Sequence, residues 1–296
     1  MSLTDFMITI FTLIDDALLD MKHNAIKLRR RGPQPMLCDS EVLTMEVVGE
    51  FLGYDQETAI FTYFRRHHQA LFPKLRDLNR TSFTRQAANL WAIKEHLWKH
   101  VLKRISFDPM ISVIDSFPVP VCRFARARRC KRLAEEAAYG YDEMAKQTYY
   151  GLRAHVRVAW PGVIVAFDLA PANVHDLRMA EELTEQTTGY LLGDRNYWSP
   201  EFSTQAKERD LDVLTPEKSR TRERQPWPVR LTQMRRRIET IFGQLVERYN
   251  AKKVWARDRW HLVSRWLRKV LSHTLGVLLC QRSGLAPLRF SELLTD

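Results

Sequence analysis

Apolar positions recur at helical spacing from the first residues of the chain. Phe6, Ile10, Leu13, Ile14, Ala17, Leu18 and Met21 form one stripe and predict a helix over residues 1 to about 30. The bases Lys27, Arg29, Arg30 and Arg31 and then Gly32-Pro33 stop it. Asp39-Ser40 can cap a second helix through Val42, Leu43, Val47, Val48 and Leu52, closed by Gly53. A third helix passes through Ile60, Phe61 and Phe64 to the basic end Arg65-Arg66-His67-His68, and a fourth opens at Thr81-Ser82 with Leu90, Ile93, Leu97 and Val101 on one face. Two helices around a tight glycine turn are compatible with helix-turn-helix, and equally with ordinary packed helices.

Near residue 108 the period changes. Met110 to Ile114 is an apolar, β-branched run bounded by Pro109 and Pro118 that climbs to Asp115, a short buried strand ending in a carboxylate. Residues 151–159 alternate apolar and polar with period two, Pro161-Gly162 turns, and residues 163–169 return as the second arm of a hairpin. Asn173-Val174-His175-Asp176 caps a helix through Leu177, Met179, Ala180 and Leu183. Gly189 starts a strand that reaches Asp194, Ser199 caps the next helix, and Leu211 to Leu214 is a further short strand. This order describes a mixed sheet with flanking helices. A polar, Pro-broken basic loop over 216–230 leads to a long helix with the stripe Leu231, Met234, Ile238, Ile241, Leu245 and Tyr249. Glu239 lies about 100° round the helix from Ile238, at the edge of that stripe. A last helix, about 262–280, is apolar enough to be a core element.

Composition narrows the partner. The 296 residues carry a net charge of +11, which suits a polyanion, while 45% hydrophobic content and eight Trp argue for a globular fold rather than a basic tail. Cys38, Cys122, Cys130 and Cys280 form neither a CxxC pair nor a Cys/His zinc spacing and read as reduced cytosolic thiols. Asp15 and Asp16 interrupt the first apolar run, so no signal peptide or membrane span is expected, and the chain reads as cytoplasmic.

Asp115, Asp194 and Glu239 are the candidate chemistry. Each has an ordinary alternative: a turn former for Asp115, an Asx turn for Asp194, and an exposed ion pair with Arg235 or Arg236 for Glu239. As a set of hard oxygen ligands they suit Mg²⁺ or Mn²⁺, and two such ions can activate the attacking oxygen and stabilise the leaving one. Basic runs flank all three. Arg123, Arg126, Arg128, Arg129 and Arg132 follow Asp115; Arg220, Arg222, Arg235 and Arg236 precede Glu239. Trp227, Trp255 and Trp260 interleave the bases, a pattern suited to nucleic acid. Trp198, four residues past Asp194, either stacks on a splayed nucleotide or packs between sheet and helix. Two carboxylates alone would also serve a glycosidase, which needs no such positive field.

Asp115, Asp194 and Glu239, 79 and 45 residues apart, resemble the acids of the DDE transposases of bacterial insertion sequences. The match is strongest in Leu169-Ala170-Pro171-Ala172-Asn173-Val174-His175-Asp176, in Leu191-Leu192-Gly193-Asp194-Arg195-Asn196-Tyr197-Trp198, and in Arg235-Arg236-Arg237-Ile238-Glu239-Thr240-Ile241-Phe242-Gly243. Thr232 and Val246 stand where many relatives have Tyr and Lys, which leaves the roles of those residues to Arg236 or the loop bases. The resemblance implies an RNase H-like α/β domain over 106–296 behind an all-helical DNA-binding module over 1–105. It implies two Mg²⁺ or Mn²⁺ ions held by the three acids, terminal inverted repeats and target DNA as partners, and a homodimer in the DNA complex. The implied reaction is phosphodiester hydrolysis followed by strand transfer. The alternatives are an endonuclease of the same fold without strand transfer and a non-catalytic DNA-binding regulator.

Overall fold

The structure, a computed structural model, describes residues 1–23, 34–216 and 227–295. Helices α1 (Leu3–His23), α2 (Asp39–Phe51), α3 (Glu57–His67), α4 (Arg80–Asn89) and α5 (Trp91–Leu102) come first. Strands β1 (Asp108–Pro120), β2 (Ala138–Asp142), β3 (Gln147–Trp160) and β4 (Val163–Pro171) follow. Then α6 (Asp176–Leu183), β5 (Gly189–Leu192), α7 (Pro200–Lys207) and β6 (Leu211–Leu214) alternate, and α8 (Val229–Gly243) and α9 (Arg259–Arg282) close the chain. Among the described residues, no helix is long and apolar enough to cross a membrane.

The chain divides into two compact units, Met1–Ser106 with Leu245–Asp296, and Phe107–Gln244. This differs from the sequence reading, which placed everything after residue 106 in one catalytic domain. The reason lies on α9. Its Leu262, Trp266, Leu267, Val270 and Leu271 are buried, and its charges find their partners on the early helices. Arg268 Nη2 lies 2.6 Å from Glu50, and Arg268 Nη1 lies 3.4 Å from both Glu46 and Glu57. Lys269 reaches both Glu50 oxygens at 3.0 Å, Lys94 of α5 bonds Glu46 at 2.8 Å, and Arg265 clasps Glu57 with two bonds of 2.7 Å. Arg268 is 0% exposed and Lys269 1%. Burial opposes ionisation of Glu57, but Arg268 and Arg265 outweigh it and hold its carboxyl at about 2.

Within the helical unit, Cys38 Sγ and Glu41 form a reciprocal capping box at the start of α2, one residue before the expected cap. Gly53 closes α2 at φ +89°, the left-handed conformation that glycine adopts without strain. The single helix expected from residue 81 is broken at Leu90, whose ψ of 9° ends α4 and starts α5. The expected end of α1 at residues 27–31 lies outside the described residues.

The second unit is the mixed sheet with flanking helices that the sequence reading anticipated. β3 is its long spine: β1 lies antiparallel on one side, β4 and β2 on the other, and β5 and β6 continue from β1 in parallel. β2 was not expected. Under α6 and α7 sits a core of Ile114, Ala180, Leu191, Tyr197, Phe202, Ala206 and Leu211, all at most 1% exposed. A side chain on Gly189, the residue opening β5, would come 2.3 Å from the Met110 carbonyl oxygen, so only glycine lets β5 lie this close to β1.

Candidate active site

Asp115 stands within β1 rather than at its end. Antiparallel pairing with β3 carries β1 from Ser112 to Pro120, past Pro118, where the sequence predicts a closing turn. Parallel pairing with β5 stops sooner, at Ile111 with Tyr190, Ser112 with Leu191 and Val113 with Leu192. Two residues further in the same register come Asp115 and Asp194. Neighbouring strands lie about 4.8 Å apart, so these acids leave the sheet side by side at the carboxyl end of its parallel part, where open sheets build their sites.

Local structure holds each one. Asp115 Oδ1 accepts from the Ser116 amide at 2.8 Å. Asp194 accepts from the Asn196 amide at 2.8 Å and so caps the 3₁₀ turn Arg195–Tyr197, which means that the Asx turn and the site position coincide. Gly193 makes room, because a Cβ there would meet the Tyr197 Cβ at 3.0 Å and its ring at 3.1 Å. Burial, with the charges of Asp194 and Asp176 adding to it, pushes the Asp115 carboxyl up to about 7, against the Ser116 amide and the Arg235 guanidinium. Burial and the charge of Asp176 likewise raise Asp194, and Arg235 again opposes the rise.

α8 is pinned beside these acids. Phe242 packs on Phe117, two residues past Asp115, and Arg235 lends its charge to both carboxylates. Glu239 falls between Arg235 and Phe242, four residues after one and three before the other, hence on the same side of the helix. Its side chain is nevertheless exposed. Among the described residues, no three His, Cys, Asp or Glu side chains cluster closely enough to hold a metal ion. The structure thus joins Asp115, Asp194 and Arg235 and leaves the Glu239 carboxylate outside the pair. The pair itself fits a hard divalent cation: two oxygen donors, recessed, with like charges that a single arginine offsets.

A buried polar brace on the opposite face of β1 escaped the sequence reading. Asp176, at the start of α6, accepts from Ser116 Oγ at 2.9 Å and from Arg153 Nη1 at 3.2 Å to each oxygen. His155 is 0% exposed, with Nδ1 3.6 Å from Asp176; burial and Arg153 hold it down at about 4 against the pull of Asp176, so it is neutral. Arg157 Nε donates to the Leu183 carbonyl at 3.0 Å. Arg153, His155 and Arg157 occupy alternate positions on β3, and their visible signal in the sequence is a polar face matched by one acid, Asp176, which local pattern marks only as a helix cap.

The expected DNA-binding residues fall in three places. Arg123, Arg126, Arg128, Arg129 and Arg132 are exposed on and around the 3₁₀ turn Phe124–Arg129. Arg235 lies over the Trp227 ring at 5.8 Å and Arg236 is exposed. Arg220 and Arg222 lie outside the described residues. Trp198 is 45% exposed, so the reading that packed it between sheet and helix does not hold.

A family model described as a transposase DDE domain matches residues 107–257, just over half of the chain and the stretch that contains all three acids. The chain is also similar in fold to a solved structure, the cryo-EM structure of piggyBac transposase in a synaptic complex with hairpin DNA. That likeness has a TM-score of 0.50 at 9% identity and covers 96% of this chain and 76% of that one. Comparison with curated proteins yields no match.

Proposed function

The chain belongs to the family of transposases with a DDE domain, and from that premise we propose that it cuts and rejoins DNA at the ends of an insertion sequence. In this reading it binds the terminal inverted repeats, hydrolyses a phosphodiester at each 3′ end and directs that 3′-OH into target DNA. The observation that carries the reading is the shared register of Asp115 and Asp194, which sets two recessed carboxylates side by side next to Arg235. Asp115 and Asp194 would hold Mg²⁺ or Mn²⁺, and Glu239, on the adjacent face of α8, would complete the set. Bound there, a pair of such ions supplies Lewis acidity for the attacking and leaving oxygens of an in-line displacement.

The remaining steps fall to the chain's own groups. Arg235 offsets the negative charge of the two acids and can contact the phosphate that arrives between them. The Ser116 and Asn196 amides fix the orientation of the carboxylates through the bonds described above. Arg126, Arg128 and Arg129 lie on the backbone of the bound DNA. Two ends require two active sites, so the chain acts as a homodimer on DNA.

The test is a cleavage and joining assay on duplexes that carry the ends of the element encoding this chain, in Mg²⁺. Asp115→Asn, Asp194→Asn and Glu239→Gln should each lower cleavage by more than about a hundredfold, beyond what the loss of an outer-sphere contact costs, with end binding retained. A Glu239→Gln protein that cleaved at the wild-type rate would remove that residue from the ligand set. Cleavage without joining would leave an endonuclease, and binding with neither would leave a regulator.

A further inference from the structure

In the helical unit, charge is concentrated between the end of α3 and the middle of α4. Residues 65–85 hold Arg65, Arg66, Lys74, Arg76, Arg80 and Arg85 against one acid, Asp77. All six bases are exposed. α1, by contrast, carries Asp5, Asp15, Asp16 and Asp20. The basic excess of this unit therefore has a place.

Burial decides which helix can use it. The glycine turn at Gly53 joins α2 to α3, but α2 buries eleven of its 13 residues and cannot enter a groove in DNA. α4 is one-sided. Phe83, Gln86, Ala87 and Ala88 are buried, Phe83 packs against Phe61 of α3 at 5.6 Å, and Gln86 Nε2 donates to the Leu37 carbonyl and to Asp39. Trp260 Nε1 fastens the Ala88 carbonyl at 3.0 Å. The other side presents Thr81, Arg85 and Asn89, spaced by four and so on one face, all exposed.

These side chains suit base edges: Arg for guanine O6 and N7, Asn for adenine, and a Thr methyl for thymine. Ten residues of helix span about 15 Å, and the major groove is about 12 Å wide. Arg65 Nη2 donates to the Arg76 carbonyl at 3.1 Å, which ties the end of α3 to the 3₁₀ turn Pro73–Arg76 just ahead of α4. Bases therefore flank the exposed face of α4.

We propose that α4 is the helix that enters the major groove of the terminal DNA, with Thr81, Arg85 and Asn89 at base edges and Arg65, Arg66, Lys74 and Arg76 on the adjoining phosphates. The proposal rests on the transposase reading and adds to it the surface that recognises the ends.

The test uses the full chain. A consensus duplex is selected from a pool of random duplexes, and its affinity is compared with that of a scrambled duplex by fluorescence anisotropy at several salt concentrations. Arg85→Ala and Asn89→Ala should each cut the consensus-to-scrambled ratio about tenfold or more at an unchanged melting temperature. The double variant Arg65→Ala, Arg66→Ala should weaken both duplexes equally and lower the salt slope by about two. α4 variants that fold normally and leave the ratio within twofold would overturn the proposal, as would failure to enrich any duplex or tighter binding of single-stranded RNA than of duplex. If wild-type protein still cleaves the consensus duplex in Mg²⁺ while the α4 variants discriminate normally, the surface is wrong and the transposase reading stands. If it neither selects nor cleaves, both fall.

Discussion

Phe242 of α8 meets Phe117 of β1 edge to face, with ring centroids 4.8 Å apart at 62°. The contact seats the helix that carries Glu239 and Arg235 against the strand that carries Asp115. Such a pair contributes about 0.5–1.5 kcal/mol beyond the area that it buries. Phe242→Ala should lower the melting temperature modestly and reduce cleavage by a larger factor, because α8 loses its seat. Phe242→Leu, which refills the space, should recover most of both. Steady-state cleavage by a Phe242→Ala protein at the wild-type rate would show that the seat has no bearing on the chemistry.

Metal binding should depend on pH through Asp115. A divalent cation binds the ionised carboxylate, and burial together with two neighbouring acids has raised this carboxyl to about 7. Below pH 7 each bound ion must displace a proton, so affinity should fall about tenfold per pH unit and level off above pH 7. Calorimetric titration with Mg²⁺ or Mn²⁺ from pH 5.5 to 8.5 reads this directly, and a flat profile below pH 7 would refute it. The stability of the metal-free protein runs the other way. The folded state keeps a proton that the unfolded chain loses near the ordinary carboxyl value of 3.8, so this group makes folding less favourable as pH rises from there to about 7.

Trp198 should tolerate truncation. A ring that is 45% exposed leaves no sealed cavity, so Trp198→Ala should shift stability by roughly 0.5 kcal/mol or less. If the ring stacks on a nucleotide beside the scissile phosphate, cleavage should drop by what roughly 1–3 kcal/mol of lost stacking implies. An abasic site beside the cut should restore part of it. Unchanged kinetics would take Trp198 out of the interface.

The arginines of the 3₁₀ turn Phe124–Arg129 should govern salt dependence. Each phosphate contact contributes about 0.9 to the slope of log affinity against log salt. Neutralising Arg126, Arg128 and Arg129 together should flatten that slope by up to about 2.7 if all three touch phosphate. An unaltered slope would return them to the solvated surface.

Much of this site was legible in the sequence because its signals are local. An apolar run that climbs to an acid, Ser199 capping α7 and Gly189 opening β5 all act within a few residues of themselves. Glu239 was legible only as a position, since a helical stripe tells which edge of α8 a residue occupies and not whether its carboxylate turns inward. The burial of His155 and the half-burial of Arg153 were not legible, because a period of two separates the faces of a strand without saying which one a later helix covers. α9 read correctly as a core element, but its core lies with Glu46 and Glu50, and no local pattern reports a partner more than 200 residues away.

Arg268 offers the sharpest stability test in the helical unit. It is 0% exposed and holds Glu46, Glu50 and Glu57 together. Arg268→Met should cost about 3–5 kcal/mol, since it strands buried carboxylates. Adding Glu50→Gln should recover part of the loss. Additive losses in chemical denaturation would mean that the two side chains do not act as a pair.

The return of α9 to the first helices also sets a timetable for synthesis. Glu50 leaves the ribosome 218 residues before Arg268. At roughly 5–20 residues per second that is a wait on the order of ten to forty seconds, during which Lys94 can already pair with Glu46 but Glu50 and Glu57, meant for a dry interior, lack the α9 cations that neutralise them. The inserted sheet, whose strands are already complete in the emerging chain, can fold while they wait. The newborn protein would then assemble its catalytic half first and close its helical half last, and the final helix translated would act as the latch.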